Sequence, residues 1–424
     1  MILFDGKILP DKEWKSVQKA LPDYCIRTIA GGEITVTEVI EACAVLSDRI
    51  REGVYDGILC AVLKQGRVNR RQIEETVRLF CRKNLRRKYQ TEIGDLEECQ
   101  SGGNPSVERH YVPLGILFHI AAGNAEGLPF YSVLEGLMVG NINILKLPSG
   151  DDGLSVFLLK ELVKIHPPLA RYIIAFQISS AAPGQIQSLG RMADAIVVWG
   201  KDEAVRAVRK MADPCTQIIS WGHKVSFAYA APDISPEELR KLAGHICITN
   251  QLLCSSCQGI FVDTEDMDVV RKFGIRFLGL LEEERKKYPP LPLEIRGKTG
   301  LELYNEELET LGTGRKILRG KGVSVTLADD RILEPSHMFC NVWVKPLPER
   351  EILKVLKPYR GYLQTAGLLC HEKDYASLKR QLIRAGVVRI TGSGGMSSMT
   401  AGGTHDGEYP LRRYCKVVEI QRDC

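Results

Sequence analysis

The chain has 424 residues, 44% of them hydrophobic and 26% charged, and its 57 basic and 52 acidic side chains leave a formal charge of +5. That length exceeds one compact core and predicts two or three domains of ordinary globular composition, and so mild a charge gives no argument for a nucleic-acid partner. No apolar run reaches the roughly 18 residues of a membrane span, so no stable membrane insertion is expected. Thirteen cysteines are scattered from Cys25 to Cys424. Their odd number, with no secretory signal ahead of the first helical pattern, predicts free thiols in a reducing cytoplasm.

Residues 1–110 read as a helical region. Apolar side chains recur three and four apart over 36–50 and 71–83, with Thr37 the expected cap of the first helix and Glu38 and Glu41 near its positive end. The run Arg82-Lys83-Asn84-Leu85-Arg86-Arg87-Lys88 reads as a solvated helix end, with a dock for an acidic partner or an anionic substrate as the alternative. The polar stretch 97–104 reads as a loop. From residue 111 short apolar strands, at 115–120, 143–147, 171–178 and 195–199, alternate with helices at 128–139, 153–165, 184–190 and 201–211. This alternation predicts a parallel sheet covered on both faces, with ligands at the carboxyl ends of its strands. A second α/β region begins near Val225, with strands at 225–230, 259–262, 340–344 and 387–390, helices at 267–285 and 349–356, and a proline-rich surface loop at 288–293. The expected division is a helical region at 1–110 packing on the cofactor domain, a nucleotide-binding domain at 111–224, a thiol domain at 225–395 and a return segment at 396–424.

Chemistry concentrates in Asn250-Gln251-Leu252-Leu253-Cys254-Ser255-Ser256-Cys257-Gln258. A polar turn between a helical run and an apolar strand holds a side chain at a cleft while its flanks fix it, which is how a nucleophilic cysteine is presented. The other readings of Cys254 are a small buried hydrophobe, one half of a redox pair with Cys257, or part of a zinc site. A zinc-binding interaction protein would draw on His245, Cys247, Cys254 and Cys257, although no second C-x₂-C follows. Three strand ends suit a nucleotide. After His119-Ile120-Ala121-Ala122-Gly123, Asn124 offers an uncharged amide to an oxyanion, or serves as a turn residue. Lys146, at the end of a strand, is placed to meet ribose or phosphate, and Ser149 to meet the same ligand or to cap the next helix. Trp199-Gly200-Lys201 lets a phosphate approach a helix N-terminus. Neither G-x-G-x-x-G nor G-x-x-x-x-G-K-[ST] occurs.

The order of these motifs resembles the aldehyde dehydrogenase superfamily and, within it, the LuxC-type acyl-CoA reductases, the fatty acid reductases of bacterial luminescence. The resemblance runs from about Val112 to the C-terminus, through Val112-Pro113-Leu114-Gly115, Gly123-Asn124, Gly140 to Ser149, Trp199-Gly200-Lys201, Gln251-Leu252-Leu253-Cys254-Ser255-Ser256 and His405-Asp406-Gly407. It implies two Rossmann-like α/β domains with parallel-rich sheets and a helical N-terminal region. It implies Cys254 as nucleophile, Asn124 as oxyanion donor, and Lys146, Ser149, Gly200 and Lys201 as residues that hold NADPH. The implied activity is reduction of a fatty acyl thioester, acyl-CoA or acyl-protein, to an aldehyde through an acyl-cysteine. A CoA-acylating aldehyde dehydrogenase working oxidatively with NAD is the alternative. The implied partners are acyl-CoA or an acyl-carrying or acyl-transferring protein, and further copies of the chain in a homo-oligomer. Two departures stand out. Ser220, in Ser220-Trp221-Gly222-His223-Lys224, occupies the place of the glutamate that activates water in hydrolytic aldehyde dehydrogenases. Cys257 stands where luminescence reductases tend to have proline. His223 and His245 are near enough in sequence to tune the thiol, and His405 falls in a segment suited to closing the acyl site.

Overall fold

The computed structural model of the chain describes residues 1–64, 70–94, 107–121, 127–148, 153–177, 183–398 and 402–421. They form two units, Met1–Gly222 with Met399–Cys424, and His223–Ser398. The first holds strands β1 (Ile2–Phe4), β2 (Lys7–Leu9), β3 (Val107–Pro113), β4 (Ile116–Ile120), β5 (Ile142–Leu147), β6 (Ile173–Gln177), β7 (Ala195–Trp199), β8 (Gln217–Trp221) and the C-terminal strand β16 (Cys415–Gln421). Among the described residues its main sheet runs β2-β1-β6-β5-β4-β7-β8. The pairings from β6 to β8 are parallel, and β1 closes the edge antiparallel to both β2 and β6. β5 and β7 are buried at every position, as expected of strands covered on both faces. The β1–β2 hairpin turns on Asp5-Gly6, both with positive φ (48° and 72°), the backbone of a two-residue primed turn that a following glycine permits. β16 returns antiparallel along β3, from Cys415 opposite Pro113 to Gln421 opposite Val107.

The helices of this unit complete one core with the sheet. Helix Val36–Arg51 is capped by Thr35, not by Thr37. The Thr35 hydroxyl accepts from Glu38 N (3.3 Å), and the Glu38 carboxylate accepts from Thr35 N (2.8 Å). This reciprocal box needs an acid three residues after the cap, which Thr35 has and Thr37 lacks. The helix expected at 71–83 is two helices, Arg70–Leu79 and Arg82–Tyr89, broken where Cys81 takes an extended conformation. The basic run in the second is not simply a solvated end. Arg82 and Arg86 pair with Glu41, and Lys88 is buried, 2.6 Å from Glu92 and 2.9 Å from Glu135. Burial alone pulls the Lys88 ammonium down, but Glu135, Tyr131 and Glu92 hold it above the usual lysine value. Glu92 also accepts from Leu411 N (2.8 Å), tying the return segment to the same charge.

The second unit holds β9 (Val225–Ala230), β10 (Cys257–Val262), β11 (Lys316–Gly320), β12 (Val323–Leu327), β13 (Asn341–Pro346), β14 (Leu363–Leu369) and β15 (Arg389–Thr391). Its sheet runs β11-β12-β13-β10-β9-β14-β15 and is parallel except at the β11 edge. Helices Pro236–Thr249, Met267–Arg285, Leu293–Glu309 and Glu372–Ala385 accompany it. The stretch expected as a loop at 288–293 is one as far as Pro292, which caps helix Leu293–Glu309. No helix among the described residues is long and apolar enough to cross a membrane.

Candidate active site

Helix Pro236–Thr249 starts cleanly because Ser235 caps it, accepting from Glu238 N (3.3 Å), Pro236 sits at its first position and Glu237 and Glu238 face its positive end. It buries Leu239, Leu242, Ala243 and Ile246 against the sheet. It ends at Asn250, and the chain turns through two left-handed residues, Asn250 (φ 48°) and Gln251 (φ 60°). Left-handed backbone is uncommon for a residue as long as glutamine. Here it is held by the buried Gln251 amide, which donates to Cys257 O and to Ser336 Oγ, both at 3.0 Å. Phe339 N in turn donates to Asn250 O (3.0 Å) from a second left-handed run, Met338-Phe339-Cys340.

The next four residues close on themselves. Ser256 N donates to Leu253 O (2.9 Å) and Leu253 N to Ser256 Oγ (3.2 Å), so Cys254 and Ser255 form the corner of a turn. Cys254 is exposed at that corner. Its carbonyl accepts from Ser226 Oγ (2.7 Å), and its sulfur accepts from Gln364 Nε2 (3.1 Å). Ser255 Oγ lies 2.9 Å from Ser397 Oγ. The thiol therefore lies at the amino end of this sheet, beside the starts of β9, β10 and β14, and not at the carboxyl end where parallel sheets usually bind ligands.

The neighbouring thiols are different. Cys257 is fully buried in β10, its Sγ 3.2 Å from Gly259 O, and burial pushes its pKa up to about 12. Cys247 and Cys340 are buried with their sulfurs 3.7 Å apart. His245 is buried and accepts the Cys257 N–H on Nε2 (3.3 Å). Burial, helped by Arg389, brings its pKa down to about 4, so it stays neutral near pH 7. Among the described residues no group of three His, Cys, Asp or Glu is arranged to hold a metal.

In the first unit the strand order reverses between β4 and β7, and the crevice outside their carboxyl ends is where such a sheet takes a nucleotide. Lys146 is the last residue but one of β5, next to β4. Lys146 is 4% exposed, its Nζ meets Leu147 O at 3.4 Å, and among the described residues it has no ion pair; burial lowers its pKa. Gly200 follows β7, and a Cβ there would lie 3.2 Å from Ala204 Cβ, so the close turn into helix Asp202–Met211 favours glycine. Lys201 is exposed at the cap position of that helix. Asn124 and Ser149 lie outside the described residues. Sequence reasoning missed the polar cluster behind β4. His119 is fully buried, its ring nitrogens 2.7 Å from Ser132 Oγ and 2.9 Å from Asn143 Oδ1, and burial brings its pKa down to about 4. Trp199 Nε1 donates to the same Ser132 hydroxyl (3.0 Å), and His405 packs edge-on against Trp199 and Trp221, with ring centroids 5.2 and 4.8 Å away. A histidine inside an apolar strand was the available signal.

The family model described as acyl-CoA reductase (LuxC) matches residues 33–417. The chain belongs to the LuxC acyl-CoA reductase family. Among relatives of this LuxC chain is the long-chain acyl-protein thioester reductase of Aliivibrio fischeri, 25% identical over 327 residues. That alignment covers 73% of this chain and 64% of the relative, so the chain spans less than two thirds of that relative's length. Among solved structures, the Δ¹-pyrroline-5-carboxylate dehydrogenase of Mycobacterium tuberculosis aligns with a TM-score of 0.72 at 15% identity, covering 96% of this chain and 82% of the other. The glyceraldehyde-3-phosphate dehydrogenase GapN of Methanocaldococcus jannaschii, solved with NADP, aligns with a TM-score of 0.67 at 16% identity, covering 96% and 94%. The LuxC chain thus has the aldehyde dehydrogenase-like fold.

Proposed function

We propose that this chain reduces a fatty acyl thioester to the aldehyde, using NADPH, through an acyl group carried on Cys254. The observation that carries the reading is the exposure of Cys254 at the corner of a braced turn, its sulfur hydrogen-bonded, while the thiols around it are buried. The thiolate attacks the thioester carbonyl of an acyl-CoA or acyl-protein. The oxyanion takes hydrogen bonds from the Cys254 N–H and, by resemblance, from the Asn124 amide. The carbonyl re-forms, the donor leaves as a thiolate that takes its proton from solvent, and the acyl group stays on sulfur. NADPH, which Lys146, Gly200 and Lys201 would hold, would supply the hydride that reduces this thioester; the Cys254 carbon–sulfur bond then breaks, aldehyde departs and Cys254 is left as the thiolate. Lys146 fits the cofactor. A buried ammonium without an ion pair among the described residues, its pKa lowered by burial, gains most from an anionic ligand. Ser220, half-buried on β8, is no general base unaided, so water competes poorly for the acyl group. The name of the Aliivibrio fischeri relative supports an acyl-protein donor, and the neighbour solved with NADP supports the class of nucleotide.

The test is to incubate the protein with acyl-CoAs of several chain lengths, without cofactor, and follow its mass. An acyl adduct on Cys254 should outlast many turnover times, and NADPH or an added thiol should discharge it. Fatty acid released as fast as aldehyde forms would sink the reading.

The cofactor preference is predicted separately. NADPH should be favoured over NADH, and Lys146→Ala should raise KM for NADPH by about tenfold, the scale of one charge-assisted hydrogen bond. KM for NADH should change less. Steady-state kinetics with both cofactors decides it, and an equal loss for the two would remove Lys146 from contact with a 2′-phosphate.

A further inference from the structure

Parallel strands paired without interruption keep step. The ladder between β9 and β14 does not. Leu363 lies opposite Val225 and Ala366 opposite Phe227, so three steps along β14 (366 − 363) face two along β9 (227 − 225). On its other side β9 meets the same irregularity. Cys257 lies opposite Ser226 and Ile260 opposite Ala228, three steps (260 − 257) facing two (228 − 226). An extra residue in a strand re-aims the side chains beside it, and such bulges are frequent next to active sites.

The residues inside the β14 bulge are Gln364 and Thr365, and both hold Cys254. Gln364 is 7% exposed and donates from Nε2 to the Cys254 sulfur at 3.1 Å. Thr365 N donates to Ser226 Oγ (3.0 Å), which donates to Cys254 O (2.7 Å). One bulge thus fixes the nucleophile at its sulfur and at its backbone. We propose that the Gln364 amide is the hydrogen-bond donor that poises Cys254 as a thiolate, and that the β14 bulge is the device that aims it. The proposal rests on Cys254 being the acyl acceptor.

A donor to sulfur favours the anion, because a hydrogen bond to a charged acceptor is stronger than one to a neutral one. Cys254 ionises by losing its proton to solvent, and the amide then stabilises the charge left on sulfur. In many cysteine enzymes an imidazolium has this part. Here the buried His245 is engaged with the Cys257 N–H and is neutral near pH 7, so an uncharged amide fills the role. A neutral donor carries no proton to the acyl group, and because the amide does not titrate, the bond it offers to sulfur is present at every pH.

The experiment measures alkylation of Cys254 in the full chain by iodoacetamide across pH, with the modified residue located by peptide mass spectrometry. In the unmodified protein the midpoint should lie below the ordinary thiol value of about 8.5. Gln364→Met keeps the length and removes the donor, and should raise the midpoint by about one pH unit, a roughly tenfold loss of rate on the low-pH side. Gln364→Glu keeps the shape and adds a negative charge above the carboxyl pKa, and should raise it further. KM for acyl-CoA should stay within about twofold in both variants while kcat falls at neutral pH. A midpoint at or above about 8.5 in the unmodified protein overturns the proposal even if neither variant folds. So does a midpoint unmoved in folded variants whose Cys254 is still acylated, and that result leaves the parent reading standing. Acylation of a different thiol overturns both.

Discussion

Cys254→Ala should abolish acyl-enzyme formation and reduce aldehyde production by roughly 10³-fold or more, the scale on which a lost nucleophile registers in covalent catalysis. Cys257→Ser should retain substantial activity. The contrast follows from the surroundings of two sulfurs only three residues apart. Cys254 sits exposed on the corner of a turn and accepts a hydrogen bond from Gln364. Cys257 is enclosed in β10, and a pKa pushed up to about 12 leaves roughly one thiolate in 10⁵ at pH 7. Serine at 257 keeps a donor for Gly259 O, which the Cys257 sulfur approaches at 3.2 Å, so that variant should fold. Mass spectrometry after incubation with acyl-CoA checks both variants. Loss of acylation in the Cys257 variant alone would show that the wrong thiol has been assigned.

The second large effect concerns stability. Lys88→Met should destabilise the first unit by about 3–5 kcal/mol, the usual cost of leaving a buried charge without its partner. For a unit of this size that is a fall in Tm of roughly 6–20 °C. Lys88 is the cation between Glu92 and Glu135, both nearly inaccessible to solvent. Without it two buried carboxylates face each other. The combined variant Lys88→Met, Glu92→Gln, Glu135→Leu should recover most of the loss. The amide that replaces the Glu92 carboxylate still offers an acceptor oxygen to Leu411 N, which Glu92 now meets at 2.8 Å. Differential scanning calorimetry of the three proteins provides the comparison. A single variant within about 1 kcal/mol of the parent would mean that solvent reaches the pair.

Most of the parallel strands inside each sheet were legible in the sequence because both faces are buried, but β12 and β14, also buried throughout, were missed. Ala195-Ile196-Val197-Val198-Trp199 has no polar residue to confuse it, and β7 is buried throughout. The edges were harder to read. β1 and β2 are three residues each, too short for periodicity to register, although their Asp5-Gly6 turn is a recognised hairpin signal. Helix Leu293–Glu309 was missed although Leu301, Tyr304 and Leu308 recur at helical spacing; that stripe is exposed, and only Thr299 and Leu303 are buried. At the site, composition pointed to Cys254 and to Lys146, residues whose type declares their chemistry. It did not point to Gln364 or Ser226. A glutamine more than a hundred residues downstream reaches the thiol through strand pairing and a one-residue slip in register. Nothing local marks such a slip, because its cause lies in the neighbouring strand.

The position of the thiol at the starts of its strands has a practical side. Ser226 and Gln364, which hold Cys254, are each the second residue of their strands, and those strands run on to Ala230 and Leu369. At roughly 3.3 Å per residue, their far ends lie well over 10 Å from the residues that hold the thiol. Loops on the surface and away from the chemistry are where chains accept added length. A short reporter peptide spliced after the exposed Asp233, in the loop that follows β9, would ride on the molecule at the far side of the sheet from Cys254. It would provide a handle for immobilisation or fluorescence that leaves the Cys254 turn undisturbed.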